Sequence, residues 1–457
     1  MVDTAILIET LFTRVNELTA TIAKQLEEIN SLKLELAVCK NKKNSGNSHS
    51  PPSQDQNRPK KNQSLRTKSG KKPGGQAGHE GVTLTCSAIP DEVIDHQPSY
   101  CNYCGNDLSD IPATIIESRQ VIDIPVIKTT CVEHRIYQKK CSCRHCMQSK
   151  FPGHVAANIQ HGSIAESLIS YLHARQYMPY KRMKEFFTDV LHMPISEGGI
   201  ANVLQRFVKK ALPCHSAIKQ RIDAASYVGT DETSMAVNSE KHWVWTWQNS
   251  HLTFIACTGN RGLKTIEQYF PEGLPNSIIG HDRYAAHFKC QAKQHQTCMA
   301  HLLRDLKYLI ELYDNKCDWA TQMKKLILQA INLKAVLTTP DHYGPNEKRY
   351  DLEKMIAMVL QNKIDEVHRK AKTLQKSLRK HQQNILTFLW HADVPADNNG
   401  SERAIRNIKI KQKISGQFKT EKGANGFTVV RSIIDTVIKS GQNEMEALTL
   451  IAKLGAE

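Results

Sequence analysis

The sequence predicts a multidomain α+β protein, and three observations carry that reading. The first 40 residues hold a heptad repeat of apolar side chains. Two Cys-x-x-Cys pairs bracket a β-rich stretch further on. The apolar period then switches from helical to strand-like near residue 225 and returns to helical after Cys298. With 457 residues the chain has room for roughly two to four domains and a substantial core.

In residues 1–40, Ile8, Val15, Ile22, Ile29 and Leu36 fall at one heptad position and Leu11, Leu18 and Leu32 at the other, with Gln25 the polar entry. β-branched residues at a and leucine at d favour a parallel two-stranded coiled coil and hence a homodimer. A single amphipathic helix packed on its own domain is the alternative.

Residues 41–82 shift to Ser, Asn, Gln, Pro, Gly and Lys and carry no apolar period, as a flexible linker does. Lys42, Lys43, Arg58, Lys60, Lys61, Arg66, Lys68, Lys71 and Lys72 stand there against Asp55 and Glu80. Such a run is either a solvated spacer or an arm that binds DNA backbone. The net charge of +16 and pI near 9.2 point to a polyanionic partner, nucleic acid before membrane. No apolar run reaches the length of a bilayer span and the start lacks a signal-peptide pattern, so a soluble intracellular protein is expected.

Residues 83–158 contain "CNYC" and "CSCRHC". In an intracellular chain, Cys101, Cys104, Cys143 and Cys146 have the spacing of a tetrahedral, structural Zn²⁺ ribbon with strands between the two knuckles. Cys141 leaves the ligand set ambiguous, and Cys131 and His134 are spare candidates. Reduced core thiols are the alternative.

Residues 159–215 read as three helices, in "SIAESLISYLHARQY", "PYKRMKEFFTDVL" and "SEGGIANVLQRFVKK", with Ser163 and Ser196 as capping residues. The short "HMPI" connection suits a helix-turn-helix, or equally a helical connector.

Residues 220–440 read as an α/β unit with a helical insertion at about 317–392, followed by a tail at 441–457. "YVGTDETSMAVN", "HWVWTWQNS" and "LTFIACTG" form an antiparallel meander, and "NSIIGHD" a fourth strand ending at Asp282. Asp231 lies inside the first strand, where a carboxylate is costly unless paired or bound to metal. In "ADNNGSERAIRNIKI", Asn398 or Asn399 caps a helix that puts Glu402, Arg406 and Lys409 on one face. A surface ion-pair ladder would account for that face. So would a site in which Asp231, Asp282 and Glu402 converge on two Mg²⁺ (or Mn²⁺) ions beside bound phosphates.

"VGTDETSMAV", "RG" at 261–262, "GHDRYAAHF", "CMAHLLRDL" and "DNNGSERAIRNIKIKQKISGQF" together resemble the transposases of the IS-sixty-six family of bacterial insertion sequences. "KKPGGQAGHEG", the paired CxxC and "YMPYKRMKEFF" match the family's pattern in the same order, so the resemblance spans nearly the whole chain. Ser234 and Met299 depart from it, where the family usually has Gly and Trp. The resemblance implies a ribonuclease-H-like core with Asp231, Asp282 and Glu402 as an Asp-Asp-Glu triad, a zinc module, a helix-turn-helix and a leucine-zipper-like start. It implies binding of terminal inverted repeats, metal-assisted exposure of a 3′-hydroxyl, and attack of that hydroxyl on target DNA. Arg403, Arg406, Lys409, Lys411 and Lys413 would hold backbone phosphates, and Cys298 with His301 would support the site. Such a protein acts in the bacterial cytoplasm at the nucleoid, and the family's elements often encode two small accessory proteins. The rival readings are a DNA-binding regulator with an inactive core and a nuclease without strand transfer.

Overall fold

The computed structural model describes residues 4–44, 47, 86–124, 127, 129–155, 157–337, 343 and 346–454. Most of the basic linker expected at 41–82 lies outside these residues. The architecture is α+β and multidomain, with a mixed five-stranded sheet flanked by helices. Among the described residues no helix is long and apolar enough to cross a membrane.

Helix α1 (Thr4–Lys40) is unbroken, as its freedom from Gly and Pro allows. Its heptad side chains from Ile8 to Leu36 stand about half exposed, which leaves the apolar seam largely uncovered.

Strands β1 (Gln138–Lys140) and β2 (Cys146–Gln148) form an antiparallel hairpin. The longer strands expected between the two knuckles do not form: the described residues of 117–136 have no regular structure. Its described residues are largely exposed, and among the described residues no second layer buries their apolar side chains.

Helices α2 (Ser163–Ala174), α3 (Tyr180–Asp189) and α4 (Glu197–Asp223) follow. Ser196 caps α4 by accepting from the Gly199 N–H at 3.0 Å, whereas Ser163 is already inside α2 and caps nothing. Ile169, Met183, Phe187, Ile200 and Val203 make a small core among the three helices. Beyond it α4 runs through Pro213, and Phe207, Ala211, Ile218 and Ile222 enter the main core, so the helical unit is fused to the sheet.

The sheet holds β3 (Tyr227–Val237), β4 (Glu240–Gln248), β5 (Thr253–Thr258), β6 (Leu274–His281) and β7 (Ala292–Thr297) in the order β5-β4-β3-β6-β7. The first three are antiparallel, and β6 and β7 run parallel to β3. Short helices α5 (Leu263–Tyr269) and α6 (Ala285–Phe288) lie before and after β6. The pleat sorts the two faces: Asp231, Thr246 and Ile255 stand in one row, and Glu232, Trp245 and Ala256 in the next, on the other face.

Helix α7 (Met299–Leu312) leads into the insertion: α8 (Asp318–Val336), α9 (Glu347–Gln361), α10 (Arg369–Lys380) and two 3₁₀ turns at Gln382–Asn384 and Thr387–Leu389. These elements share a second core with Tyr227 and Ile278, so the insertion is seated on the sheet. Helix α11 (Asn399–Ser415) then returns to the face that carries Asp231, and helix α12 (Glu421–Lys439) packs along the edge strand β5. Ser432 of α12 accepts from the Ile255 N–H at 2.9 Å. The expected tail is instead a packed helix, α13 (Glu444–Lys453), with Leu448 fully buried and Thr449 bonded to Ser167 of α2.

Candidate active site

Asp231 sits mid-strand on β3, and its Oδ1 accepts the N–H of Glu232 at 2.9 Å. The parallel pairing Gly229↔Gly280, carried two residues further, sets Asp282 level with Asp231 on the neighbouring strand. The pairing His281↔Thr297 likewise sets Cys298 level with Asp282. Strand β6 ends at His281, just before Asp282, and the charge of Asp282 is felt at the Asp231 carboxyl, so the two acids are near neighbours.

Helix α11 brings the third acid. Gly229 and Gly400 permit the close approach: a Cβ at Gly229 would lie 2.7 Å from Asn398 Oδ1, and one at Gly400 would lie 2.5 Å from Gln248 Nε2. Asn398 is the N-cap position, as expected, but its side chain bonds across rather than capping. Its Nδ2 donates to the Thr230 carbonyl at 2.7 Å and its Oδ1 accepts from Ser401 Oγ at 2.7 Å. Glu402 then falls in the first turn of α11, over the acid row.

The acids act on one another electrostatically, although among the described residues they are not closed into a metal cluster. Burial pushes the Asp231 carboxyl well above the usual range, and the charges of Glu232, Asp282 and Glu402 push it further. Glu402 Oε1 is buried and accepts no hydrogen bond; His301 Nε2 lies 3.5 Å away and Arg304 Nη1 3.6 Å away. Cys298 is 1% exposed, and its sulfur accepts the Asn398 N–H at 3.2 Å. Burial drives that thiol up to about 11, so it stays protonated. Cys298 therefore ties α11 to β7, and His301 faces the third acid.

The five cations expected at phosphates divide by position. Arg403, Arg406 and Lys413 are exposed. Lys409 is half buried and donates to the Ser234 carbonyl at 2.6 Å. Lys411 points inward, against the expectation: it is 3% exposed and reaches His173 Nδ1 and the carbonyls of Tyr177 and Met178. It follows Glu402 by nine residues, half a turn out of phase with the face that carries Arg406 and Lys413.

The cysteines expected at zinc lie in two similar turns. The Gly105 N–H donates to the Cys101 carbonyl, with Gly105 at φ 76°; the Arg144 N–H donates to the Cys141 carbonyl, with Arg144 at φ 70°. Backbone N–H groups of Cys104 and Tyr103 lower the Cys101 thiol, and that of Cys143 lowers Cys141. The second turn thus runs from Cys141 through Cys143, and Cys146 lies beyond it on β2. Among the described residues no three His, Cys, Asp or Glu side chains are closed into a metal cluster.

Sequence reasoning missed Gln248, Asn398 as a cross-link, Arg304, and the buried partners of Glu232. Residue Glu232, next to Asp231, and the quoted "RG" at 261 were the signals for the last.

Two family models match the chain. One, described as a family of unknown function, matches residues 3–85. The other matches residues 160–426, more than half of the chain, including all three acids, and its description is Transposase IS66 family. No curated protein matches. The chain belongs to the IS66 family of transposases.

Proposed function

We propose that this protein is a DNA transposase that binds the terminal inverted repeats of its insertion sequence, cleaves there, and joins the freed end to target DNA. The observation that carries this reading is the neighbouring pair Asp231 and Asp282 with Glu402 brought over it by α11. An antiparallel meander followed by two parallel strands fits a ribonuclease-H-like core, which supports the Asp-Asp-Glu assignment.

The donor set fits a hard dication: carboxylate oxygens, one of them buried without a hydrogen bond, around an aspartate whose charge is disfavoured until a cation arrives. Asp231, Asp282 and Glu402 would hold Mg²⁺ or Mn²⁺, two per site, which supply activation of the attacking oxygen and stabilisation of the leaving one. Arg304 and His301 flank Glu402 and orient it. Arg403, Arg406 and Lys413 neutralise backbone phosphates, with Lys409 tethered to β3 beside them.

Structural Zn²⁺ would be held by Cys101, Cys104, Cys143 and Cys146, with Cys141 the alternative fourth ligand; the CxxC spacing and the exposure of these thiols support this reading. Helices α3 and α4 are the helix-turn-helix candidate for reading the repeat, and the seam of α1 pairs two copies at two DNA ends.

The test is joining of a labelled terminal-repeat oligonucleotide into plasmid with Mg²⁺ or Mn²⁺. Strand transfer is expected. Nicking without joining would make the protein a nuclease, and binding without either would make it a regulator.

A further inference from the structure

Glu232 follows Asp231 directly along β3. The pleat sends it to the opposite face, in the row of Trp245. There its side chain is 1% exposed. Its Oε1 accepts from Arg261 Nε at 2.9 Å and lies 2.8 Å from Nη2, and its Oε2 accepts from His287 Nε2 at 2.9 Å. These partners hold the Glu232 carboxyl below its ordinary range although burial alone would raise it.

The partners come from two other parts of the chain. Arg261 lies after β5, its guanidinium between the rings of Trp243 and Tyr284 at 4.6 and 4.3 Å from their centres. Tyr284 belongs to the turn that carries Asp282, and its N–H donates to Asp282 Oδ1 at 2.8 Å. His287 is fully buried on α6, and its Nε2 lies 3.7 Å from the same Oδ1. The Asp282 turn is therefore held from behind at His287 and Tyr284, and both contacts lead to Glu232.

We infer that Glu232, with His287 and Arg261, is a brace that fixes the Asp282 turn against β3, and that Glu232 is a positioning residue, not a metal ligand. This rests on the reading of Asp231 and Asp282 as metal ligands. Two neighbouring carboxylates repel each other, and the loop-borne one, Asp282, would move away unless its turn were held. Residues behind metal ligands commonly contribute about 10- to 100-fold in metal affinity.

Mn²⁺ binding to the full chain, followed by the paramagnetic signal of the free ion, tests the brace alongside cleavage at increasing Mn²⁺. Glu232→Gln is expected to weaken Mn²⁺ about tenfold and to recover cleavage at saturating Mn²⁺. Asp231→Asn is expected to lose both and to recover neither. Arg261→Lys keeps the charge but not the paired nitrogens, and should weaken Mn²⁺ about threefold. It decides the matter should Glu232→Gln not fold, as read by its thermal melt. Wild-type Mn²⁺ affinity in the folded Glu232 variant, or in Arg261→Lys if that variant is the one that folds, would overturn the brace. So would a folded Glu232→Gln that no Mn²⁺ concentration rescues, since it would then behave as a ligand. Wild-type Mn²⁺ binding in Asp231→Asn would instead overturn the metal-site reading beneath it.

Discussion

The Asn398 side chain donates to the Thr230 carbonyl at 2.7 Å, and so fastens the start of α11 to the strand next to Asp231. That bond gives Glu402 a fixed place over the acid row. Glu402→Gln keeps size and hydrogen-bonding capacity but removes the charge that would hold a dication in the proposed site. Cleavage and joining should fall at least about a hundredfold, because metal stabilisation of the reacting oxygens is worth several kcal/mol. Binding to the terminal repeat should persist or tighten. Near-normal joining on a preparation that binds DNA would reject the triad.

Arg403, Arg406 and Lys413 are the cations of α11 that reach the surface. Replacing each with Ala should weaken binding to any DNA sequence alike and lower the salt slope by about 1 per residue that contacts a phosphate. Affinity titrations between low and moderate salt would measure this. An unchanged slope in the triple variant would remove α11 from the DNA interface.

Lys411 should behave in the opposite way. Burial lowers its ammonium to about 8, while in the unfolded chain it titrates near 10.4. Between those values the unfolded state holds more protons, so stability rises with pH across that window. Relative to Lys411→Met, the wild type should gain on the order of 3 kcal/mol as pH goes from 7 to 10, at about 1.4 kcal/mol per pKa unit. Denaturant unfolding of both proteins at several pH values would show it. DNA affinity should hardly change; a large loss would return Lys411 to the phosphate contacts.

Purified protein should contain one Zn²⁺ per chain by metal analysis, and Cys101→Ser with Cys104→Ser should release it. Cys141→Ser and Cys146→Ser, made separately, identify the fourth ligand by which one loses the metal. Zinc-free wild type that folds and binds DNA would dispose of the ribbon.

The exposed seam of α1 should dimerise. Ile22→Lys with Ile29→Lys puts two charges in place of buried aliphatic groups and should cost several kcal/mol, roughly 1.5–3 for each lost side chain plus the burial of charge. Light scattering on residues 1–40 should give a dimer for the wild type and a monomer for the variant. A wild-type peptide that stays monomeric at high micromolar concentration would place the seam elsewhere.

Much of the sheet was legible because its strands follow strong local rules. The tryptophans of β4 alternate, and β6 ends in a short apolar run. Strand β7, "AKQHQT", was not legible, since it has neither alternation nor apolar content. It is held by side-chain bonds from the 3₁₀ turns, with Gln296 Oε1 accepting the Phe388 N–H and Thr387 Oγ1 donating to the His295 carbonyl. Those bonds join positions about 90 apart, beyond any local pattern. The acids proposed as metal ligands could be picked out from their motifs. The brace behind Asp282 could not, because strand phase alone puts Glu232 on the other face and says nothing of which helix meets it there.

The insertion between α7 and α11 separates Asp282 from Glu402 along the chain. A ribosome adding about 5–20 residues per second needs roughly ten seconds to pass from one to the other. Through that interval the nascent polypeptide has its first two acids and lacks the third. A polypeptide whose synthesis stops inside the insertion therefore carries Asp231 and Asp282 without Glu402, and under the proposed reading lacks the third metal ligand.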